Sequence, residues 1–590
     1  MVQIGLLRFS CLALLIGVIT GFGAVGFRDL IGFIHNLLFL GTASFHYDAN
    51  LFTPPSPWGL WVILVPVAGA LGVTFLVSHF APEARGHGVP EVVDAIYYKS
   101  GVIRPVVAIV KSVASSISIG SGAAVGREGP IIQIGAALGS TLGQMIRMPA
   151  GQRIILVAAG AGAGIAATFN TPIGGVLFAI EIMMPEVSVR TFLPVALATG
   201  VATFVGRFFF GVAPAFNVPH LPPIPADASS AGVLGLYGLL GALTGVAAAA
   251  FIRGLHLMED LFERVGHRYI RHAAGMLLVG VLMVSLQRQF GHYYVEGVGY
   301  STVQAILQGQ LYGVGLLFLL FFCKLLATSL SLGSGASGGI FSPSLFMGAT
   351  VGAGFAAVLT RLHLPVAIDI SSFAIVGMGA MVGGGTGAVM AAITMIFEMT
   401  RDYDIVMPMI VAVAVSVGVR RLLSGESIYS MKLFRRGHFI PKALHANMFL
   451  VRRAREVMDR DFALATAATG FDDFLSEPAH KGRLRHVVVH DGERITGVLR
   501  VNTSLRHAAE AAKPGARRLG DLATGNFIMV HDDEPIVDVI HRMWRTKASM
   551  ALVIGQQGTA RPQDVLGVIT KEHVADCVAQ STSVYPIGAG

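Results

Sequence analysis

The sequence predicts an all-α polytopic membrane domain of two inverted-topology repeats with broken helices, followed by a small α/β domain. Of 590 residues, 53% are hydrophobic and only 13% are charged, and the mean hydropathy is +0.67. About a quarter of the residues of a soluble globular protein are charged, so an ordinary soluble enzyme is excluded. The last 140 residues are different, because 35 of them are charged, whereas residues 1–450 contain 43 charged residues.

These counts divide the chain into a membrane domain (1–432), a linker rich in Lys and Arg (433–450) and a soluble tail (451–590). Basic residues at the end of a membrane domain favour the cytoplasmic side, so we expect a bacterial inner membrane protein with a cytoplasmic tail. The apolar N-terminus lacks a clear cleavage site and reads as a retained first membrane helix. The net charge of +8 fits either cationic cytoplasmic loops or an anion-attracting vestibule.

Six apolar segments are long enough to cross a bilayer or nearly so: residues 59–79, 154–183, 231–253, 274–286, 313–332 and 405–423. Two further segments, 101–145 and 333–400, are apolar but interrupted by many glycines. Irregular backbone at membrane depth is tolerated only where it lines a cavity or is buried in protein. We therefore expect the transport pathway in these two segments.

The two glycine-rich segments also form a repeat. GREGP begins at Gly126, and Glu181 ends a Gly- and Ala-rich helix 55 residues later; GIFSP begins at Gly339, and Glu398 ends the corresponding helix 59 residues later. Paired interrupted segments of this kind indicate a transporter built from two repeats, with its site between them.

The tail contains a repeat of its own. RHVVVHD and ITGVLR predict two strands followed by a helix from about Ser504, and ALVIGQ, DVLGVIT and KEHVADCV repeat this order about 70 residues later. Two short α/β modules packed together are predicted. The three cysteines, Cys11, Cys323 and Cys577, are far apart and predict neither a disulfide framework nor a metal cluster, and no metal site is expected.

Three pentapeptides and a tyrosine carry a family resemblance: Gly86–Pro90 (GHGVP), Gly126–Pro130 (GREGP), Gly339–Pro343 (GIFSP) and Tyr429. In this order they resemble the CLC family of chloride channels and chloride/proton exchangers, over about residues 5–437. The tail resembles a pair of CBS modules. The resemblance implies a homodimer in membrane lipid, with one pore in each subunit for chloride or a similar small anion, with or without protons.

A physical account accompanies the resemblance. An anion needs donors in place of water, and helix N-termini supply them as partial charges that do not trap it. The resemblance implies that N–H groups around Arg127–Gly129 and Ile340–Phe341 face the anion and that Tyr429 contacts it. It makes Glu128 the gating carboxylate, which competes with the anion and carries the proton in exchangers. The Arg127 side chain is expected to make structural hydrogen bonds.

Two departures from the family pattern matter. His87 replaces a serine that contacts the central anion, so imidazole becomes a donor, a pH-dependent selectivity element or a proton station, or it points away. Ile182 stands where many exchangers have a proton-carrying glutamate. We therefore expect channel-like or weakly coupled transport. The alternative is a fully coupled antiporter with Glu181 or His87 in the proton path.

The remaining expectations concern other sites and other classes. Glu398 is interpreted as holding a helix end. Thr570 and Glu572 are candidates for binding the ribose of an adenine nucleotide at the CBS pair. No Walker loop or nucleophile–base pair is present, so no enzyme activity is expected. Nucleic acid is not expected as a partner. A CBS-regulated cation transporter and an intramembrane enzyme are the rival classes.

Overall fold

The computed structural model describes residues 4–219, 229–363, 368–438, 452–476, 486–501, 518–555 and 561–574. It divides the chain into two compact units, Met1–Ile440 and Pro441–Gly590. The predicted linker 433–450 lies across this division, and most of it falls outside the described residues. The helix expected from Ser504 also lies outside them.

The described residues of the first half of unit one form eight α-helices. They are α1 (Leu6–His35), α2 (Val65–His79), α3 (Val89–Tyr98), α4 (Val106–Gly120), α5 (Glu128–Met145), α6 (Ala150–Phe169), α7 (Pro172–Phe178) and α8 (Val189–Phe210). A π-helical turn extends α1 over Asn36–Leu40, and another extends α7 over Ala179–Met183. A short 3-10 helix, Gly59–Leu64, leads into α2.

Eight more helices, followed by a short ninth, are present among the residues that the structure describes in the second half. They are α9 (Ser229–Glu263), α10 (Arg268–Phe290), α11 (Tyr300–Leu307), α12 (Val314–Ser334), α13 (Phe341–Arg361), α14 (Ile370–Thr386), α15 (Val389–Thr400), α16 (Val406–Leu423) and α17 (Ile428–Arg435). Within the described parts of the chain, nine helices are long and apolar enough to cross a membrane.

The helices of the two halves pack in the same pairs. In the first half α5 packs on α6, α1 on α8, and α6 on α8; in the second half α13 packs on α14, α9 on α16, and α14 on α16. The repeat therefore extends well beyond the motif segments from which it was predicted, and it includes eight helices in each half.

Glycine contacts explain the close packing inside each repeat. A Cβ atom on Gly135 of α5 would lie 2.1 Å from the carbonyl oxygen of Gly160 on α6, and the reverse distance is also 2.1 Å. The corresponding pair, Gly348 of α13 and Gly377 of α14, gives 2.3 Å in both directions. Small residues let helix backbones approach where side chains would keep them apart. Substitution of any of these four glycines is therefore expected to separate the helices.

The predicted segment 154–183 is two helices, not one. Helix α6 ends at Phe169, the next residue, Asn170, has a left-handed backbone at φ 59°, and α7 begins with Pro172. Proline lacks the N–H that would continue the helix, and it clashes with the preceding turn. The break leaves the amide groups that begin α7 without helical partners, so they need acceptors from elsewhere.

The described part of unit two forms two three-stranded sheets of the same topology. The first has the order β1 (Phe462–Thr466), β2 (His486–Asp491), β3 (Arg494–Arg500), and the second has the order β4 (Phe527–His531), β5 (Met550–Ile554), β6 (Val565–Thr570). In each sheet the first pair is parallel and the second antiparallel. The predicted strands are β2, β3, β5 and β6, which are confirmed. Strands β1 and β4 were missed because they are short and largely half-exposed.

The two sheets pack face to face. Val488 and Val498 of the first sheet share a buried cluster with Leu552 and Val568 of the second. The helices of this unit include α18 (Ala454–Val457), α19 (Phe471–Ser476), α20 (Leu519–Leu522) and α21 (Ile536–Arg545), and residues 571–574 are also helical. Residues of α19 and α20 pack in a cluster with the first sheet, and residues of α18 and α21 pack with the second. The prediction of two packed α/β modules is therefore confirmed.

Candidate functional site

The two predicted motif loops meet directly. The N–H of Gly126 donates to the carbonyl of Gly339 over 2.7 Å, and the N–H of Gly339 donates to the carbonyl of Gly126 over 2.6 Å. These glycines hold equivalent positions in the two repeats, one before α5 and the other before α13. Each glycine both donates to and accepts from the other, so the contact is the same seen from either repeat. The N-termini of α5 and α13 are thereby brought to one point.

Glu128, the first residue of α5, places its carboxylate at the N-terminus of α13. Its side chain is 1% exposed. Oε1 accepts hydrogen bonds from the hydroxyl groups of Tyr300 and Ser342, and Oε2 lies 3.3 Å from the backbone N of Ser342. Because the first amides of a helix carry partial positive charge, the carboxylate occupies a position that an anion would favour.

His87 reaches the same region from a third loop. Gly86 pairs with the second repeat, since its N–H donates to Ala336 over 3.1 Å and its carbonyl accepts from Gly338 over 3.3 Å. The His87 side chain is 2% exposed, and neither ring nitrogen has a hydrogen-bond partner among the described residues. A buried imidazole with two unpaired nitrogens is costly. It is therefore available to an anion or to water.

The other predicted site residues lie around this point. A Cβ atom on Gly129 would lie 2.1 Å from the carbonyl oxygen of His87, so α5 begins directly against the His87 backbone. The Tyr429 ring, at the start of α17, lies 5.9 Å from the His87 ring. Ile340 and Phe341 are buried where α13 begins. The structure thus brings together the predicted gate and the predicted anion-binding residues.

Arg127 differs from its prediction. Its guanidinium lies over the rings of Tyr300 and Phe169, 5.2 and 5.5 Å from their centroids, and its Nε has no hydrogen-bond partner in the described part of the chain. The prediction that the Arg127 side chain makes structural hydrogen bonds is therefore wrong for Nε. Arg127 instead lines a cavity of about 260 Å³ together with Arg28 and Arg207. Positive charge thus lies next to Glu128 on one side.

Tyr300 and Ser342 were missed as partners of the gate. Ser342 belongs to the GIFSP motif, but the sequence prediction assigned the anion contacts to the backbone of Ile340 and Phe341. Tyr300 opens α11, the counterpart of α3 in the second repeat, and sequence alone does not show that it reaches Glu128. The repeat in the sequence is the signal that could have pointed to α11, because α3 and α11 each follow a glycine with positive φ, Gly88 and Gly299.

Two buried lysines were also missed. Lys111 of α4 donates to the carbonyl oxygens of Ala84 and Gly86 over 2.9 and 2.7 Å, and Lys324 of α12 donates to those of Val295 and Gly297 over 2.9 and 2.8 Å. Each lysine fixes the loop that precedes α3 or α11. A lysine inside an apolar membrane helix costs free energy, so its presence in the sequence indicates a structural or functional role. Both lysines could have been recognised in the sequence in this way.

Glu181 of the first repeat caps a helix of the second repeat, and Glu398 of the second repeat caps a helix of the first. Glu181 accepts from the backbone N–H groups of Val389 and Ala391 over 2.8 and 2.9 Å at the start of α15. Glu398 accepts from those of Ile173 and Gly174 over 3.1 and 2.7 Å at the start of α7. Glu398 thus holds a helix end, as expected. Glu181, a candidate for the proton path, has the same capping contacts.

The nucleotide candidates of unit two already have protein partners. Thr570 is buried, and its hydroxyl accepts from the backbone N–H of His573 over 3.3 Å. Glu572 pairs with Arg500, with 2.5 Å between Oε1 and Nη1. A ribose at this position would have to compete with Arg500 for the carboxylate.

Comparison with known proteins places this geometry in a family. The family model for voltage gated chloride channels matches residues 68–421. The H+/Cl− exchange transporter ClcA of Citrobacter koseri is 32% identical over 432 residues, 72% of this chain and 87% of the relative. ClcA of Salmonella arizonae is 32% identical over 438 residues, 73% of this chain and 89% of the relative.

Two solved structures are also similar to this chain. A slow cyanobacterial Cl−/H+ antiporter matches with 27% identity and a TM-score of 0.63, covering 73% of this chain and 98% of the other. A eukaryotic CLC transporter shares the fold at 21% identity and a TM-score of 0.59, covering 96% of this chain and 98% of the other. The chain therefore belongs to the CLC family, the family of voltage gated chloride channels.

Proposed function

We propose that the protein moves chloride or a similar small anion across a membrane, with Glu128 as the gate. The observation that carries this proposal is the Glu128 carboxylate at the N-terminus of α13, where it accepts from the hydroxyl and backbone N–H of Ser342. A carboxylate and a chloride ion compete for the same donors. Protonation or movement of Glu128 would then free the site. Family membership supports transport rather than catalysis.

The basic cavity supports an entrance beside the gate. Arg28, Arg127 and Arg207 line it, and Asp48 is its acidic member. Clefts of one charge sign raise the local concentration of counter-ions and the rate of association. The excess positive charge of the membrane domain thus acts in part as an anion-attracting vestibule.

In this proposal the two repeats have inverted topology, and the protein is a homodimer in the inner membrane of a bacterium.

Coupling to protons is the finer question. Channel-like or weakly coupled transport is supported by Ile182 and by the engagement of Glu181 in helix capping. Fully coupled antiport, through Glu181 or His87, is favoured by the relatives, which are named H+/Cl− exchangers. The buried, unpaired His87 ring also supports this alternative.

Simultaneous chloride and proton flux from purified protein in liposomes tests both levels. Chloride efflux down a gradient supports the proposed transport, whereas movement of potassium or magnesium without chloride contradicts it. An exchanger uses chloride efflux to drive protons inward against their gradient. A channel-like protein leaves the proton gradient to collapse passively.

Anion selectivity is expected to depend on His87. His87→Ser replaces a buried ring by a short hydroxyl, so the donor and the size of the site both change. A difference of about 1.4 kcal/mol between two anions in their contacts with the new side chain corresponds to about a tenfold change in their relative flux. Fluxes of nitrate, bromide and fluoride relative to chloride measure the change, with exposed His46→Ser as the control. Identical ratios in His87→Ser would make the imidazole a bystander.

We propose that unit two is a pair of CBS modules in the cytoplasm. Its two sheets of identical topology support this, and an adenine nucleotide at Thr570 and Glu572 would give the pair a regulatory ligand. Binding would require Glu572 to release Arg500.

Calorimetry with ATP or AMP on the full-length protein tests the nucleotide. Heat of binding is expected from the wild type, and Thr570→Ala is expected to abolish it because the ribose loses a hydroxyl partner. Exposed Thr546→Ala should behave as the wild type. Equal heats for Thr570→Ala and the wild type would reject this residue as a ligand.

A further inference from the structure

Three potential metal ligands converge in unit two, away from the transport site. Asp459, His486 and His573 each place a ligand atom within 4.8 Å of the ligand atoms of the other two. His573 Nε2 lies 3.2 Å from Asp459 Oδ2, and the two imidazole rings lie 5.2 Å apart at 74°. We propose that these three residues bind a divalent late transition metal, with zinc as the test ion.

The backbone fixes two of the ligands relative to each other. Asp459 precedes β1, and it forms two backbone hydrogen bonds with Val568 of β6, of 2.8 and 2.9 Å. His573 follows the end of β6, where its N–H donates to Thr570 Oγ1. Asp459 and His573 therefore lie at one edge of the second sheet, and their side chains already touch.

His486 supplies the observation that points to a ligand. It is the first residue of β2, in the other sheet, and it is 2% exposed. Its Nδ1 has no hydrogen-bond partner within the described ranges. A buried ring nitrogen without a partner is costly unless something binds it.

The chemistry of this set fits zinc. Imidazole nitrogen and carboxylate oxygen are common zinc ligands, with bonds of about 2.0–2.2 Å and tetrahedral geometry, so ligand atoms lie roughly 3.3 Å apart. The Asp459–His573 pair already has this spacing at 3.2 Å, and the ligand atom of His486 lies within 4.8 Å of both. The side chains of Asp459 and His573 are 26% and 16% exposed, which leaves room for water as the fourth ligand.

Binding has one identifiable cost. The backbone N–H of Thr570 lies 3.3 Å from Nδ1 of His573, which makes Nδ1 the acceptor and Nε2 the protonated atom. A metal bound at Nε2 moves the proton to Nδ1, and this long contact is lost. In return the metal would link β2 of the first sheet to the end of β6, so it would hold the two modules together.

Cobalt and zinc binding to the full-length protein, purified without a polyhistidine tag, tests the proposal. One Co²⁺ per chain is expected, with visible absorption typical of four- or five-coordinate nitrogen and oxygen ligation. Competing Zn²⁺ should remove this absorption. This arm requires no variant, so it is independent of folding defects. Absence of the absorption in the wild type would overturn the proposal.

Variants identify the ligands. His573→Ala is expected to raise the zinc dissociation constant by more than the roughly 10–100-fold that loss of an outer-shell partner costs. His490→Ala, which removes an imidazole from the other end of β2, should leave the affinity unchanged. Zinc should also raise the melting temperature of the wild type but not that of His573→Ala. Equal affinity in the wild type and His573→Ala would overturn the assignment.

Discussion

Replacement of Glu128 by alanine is expected to abolish the pH dependence of chloride flux. In the structure the carboxylate accepts hydrogen bonds from the backbone N–H of Ser342 near the start of α13 and from the hydroxyls of Tyr300 and Ser342. Flux that requires protonation of one carboxyl group falls by up to about tenfold for each pH unit above its midpoint. Alanine leaves the donors free at every pH. Chloride efflux from liposomes, measured from about pH 4 to pH 8, should therefore become flat.

Two further variants separate the explanations. Glu128→Gln keeps the size of the side chain but removes its charge, so a flat profile at reduced flux would assign the pH dependence to the charge and the reduction to bulk. Asp404→Asn removes an exposed carboxylate from the same unit and should retain the wild-type profile. A pH dependence that persists in Glu128→Ala would mean that another group controls the flux.

The sequence predicted the parts of this site that depend on backbone. Helix N-termini need glycines for close approach and prolines that cannot continue a preceding helix, and both leave visible marks at GHGVP, GREGP and GIFSP. These glycine and proline constraints act locally along the chain, so they are legible without coordinates. The similar placement of Glu181 and Glu398 after the two motifs revealed the repeat, although the helices that they cap lie 208 and 224 residues away.

Side-chain contacts between the repeats were not predictable in this way. Tyr300 lies 172 residues from Glu128, and nothing in its neighbourhood indicates that its hydroxyl reaches the carboxylate. The same holds for the ligands of the proposed metal site, which come from a loop, a strand and the helical residues after another strand. Lys111 and Lys324 are an intermediate case, because each is conspicuous in an apolar helix although its carbonyl partners are not.

Loss of either hydroxyl that holds Glu128 is expected to shift the pH profile of chloride flux. Tyr300→Phe and Ser342→Ala each remove a donor that stabilises the charged carboxylate, so the proton binds at higher pH and the midpoint of the profile moves upward. A hydrogen bond to a charged group contributes about 1.5–3 kcal/mol, and one pH unit corresponds to about 1.4 kcal/mol. The shift should therefore be about 1–2 pH units, measured as chloride efflux from liposomes.

The two substitutions should not be additive, because both hydroxyls donate to Oε1 of the same carboxylate and their oxygens lie 2.8 Å apart. The double variant Tyr300→Phe/Ser342→Ala is thus expected to shift the midpoint by less than the sum of the single shifts. Tyr312→Phe, at an exposed tyrosine, should leave the profile unchanged. Unshifted midpoints in both single variants, with Glu128 still required, would mean that the hydroxyls do not stabilise the closed gate.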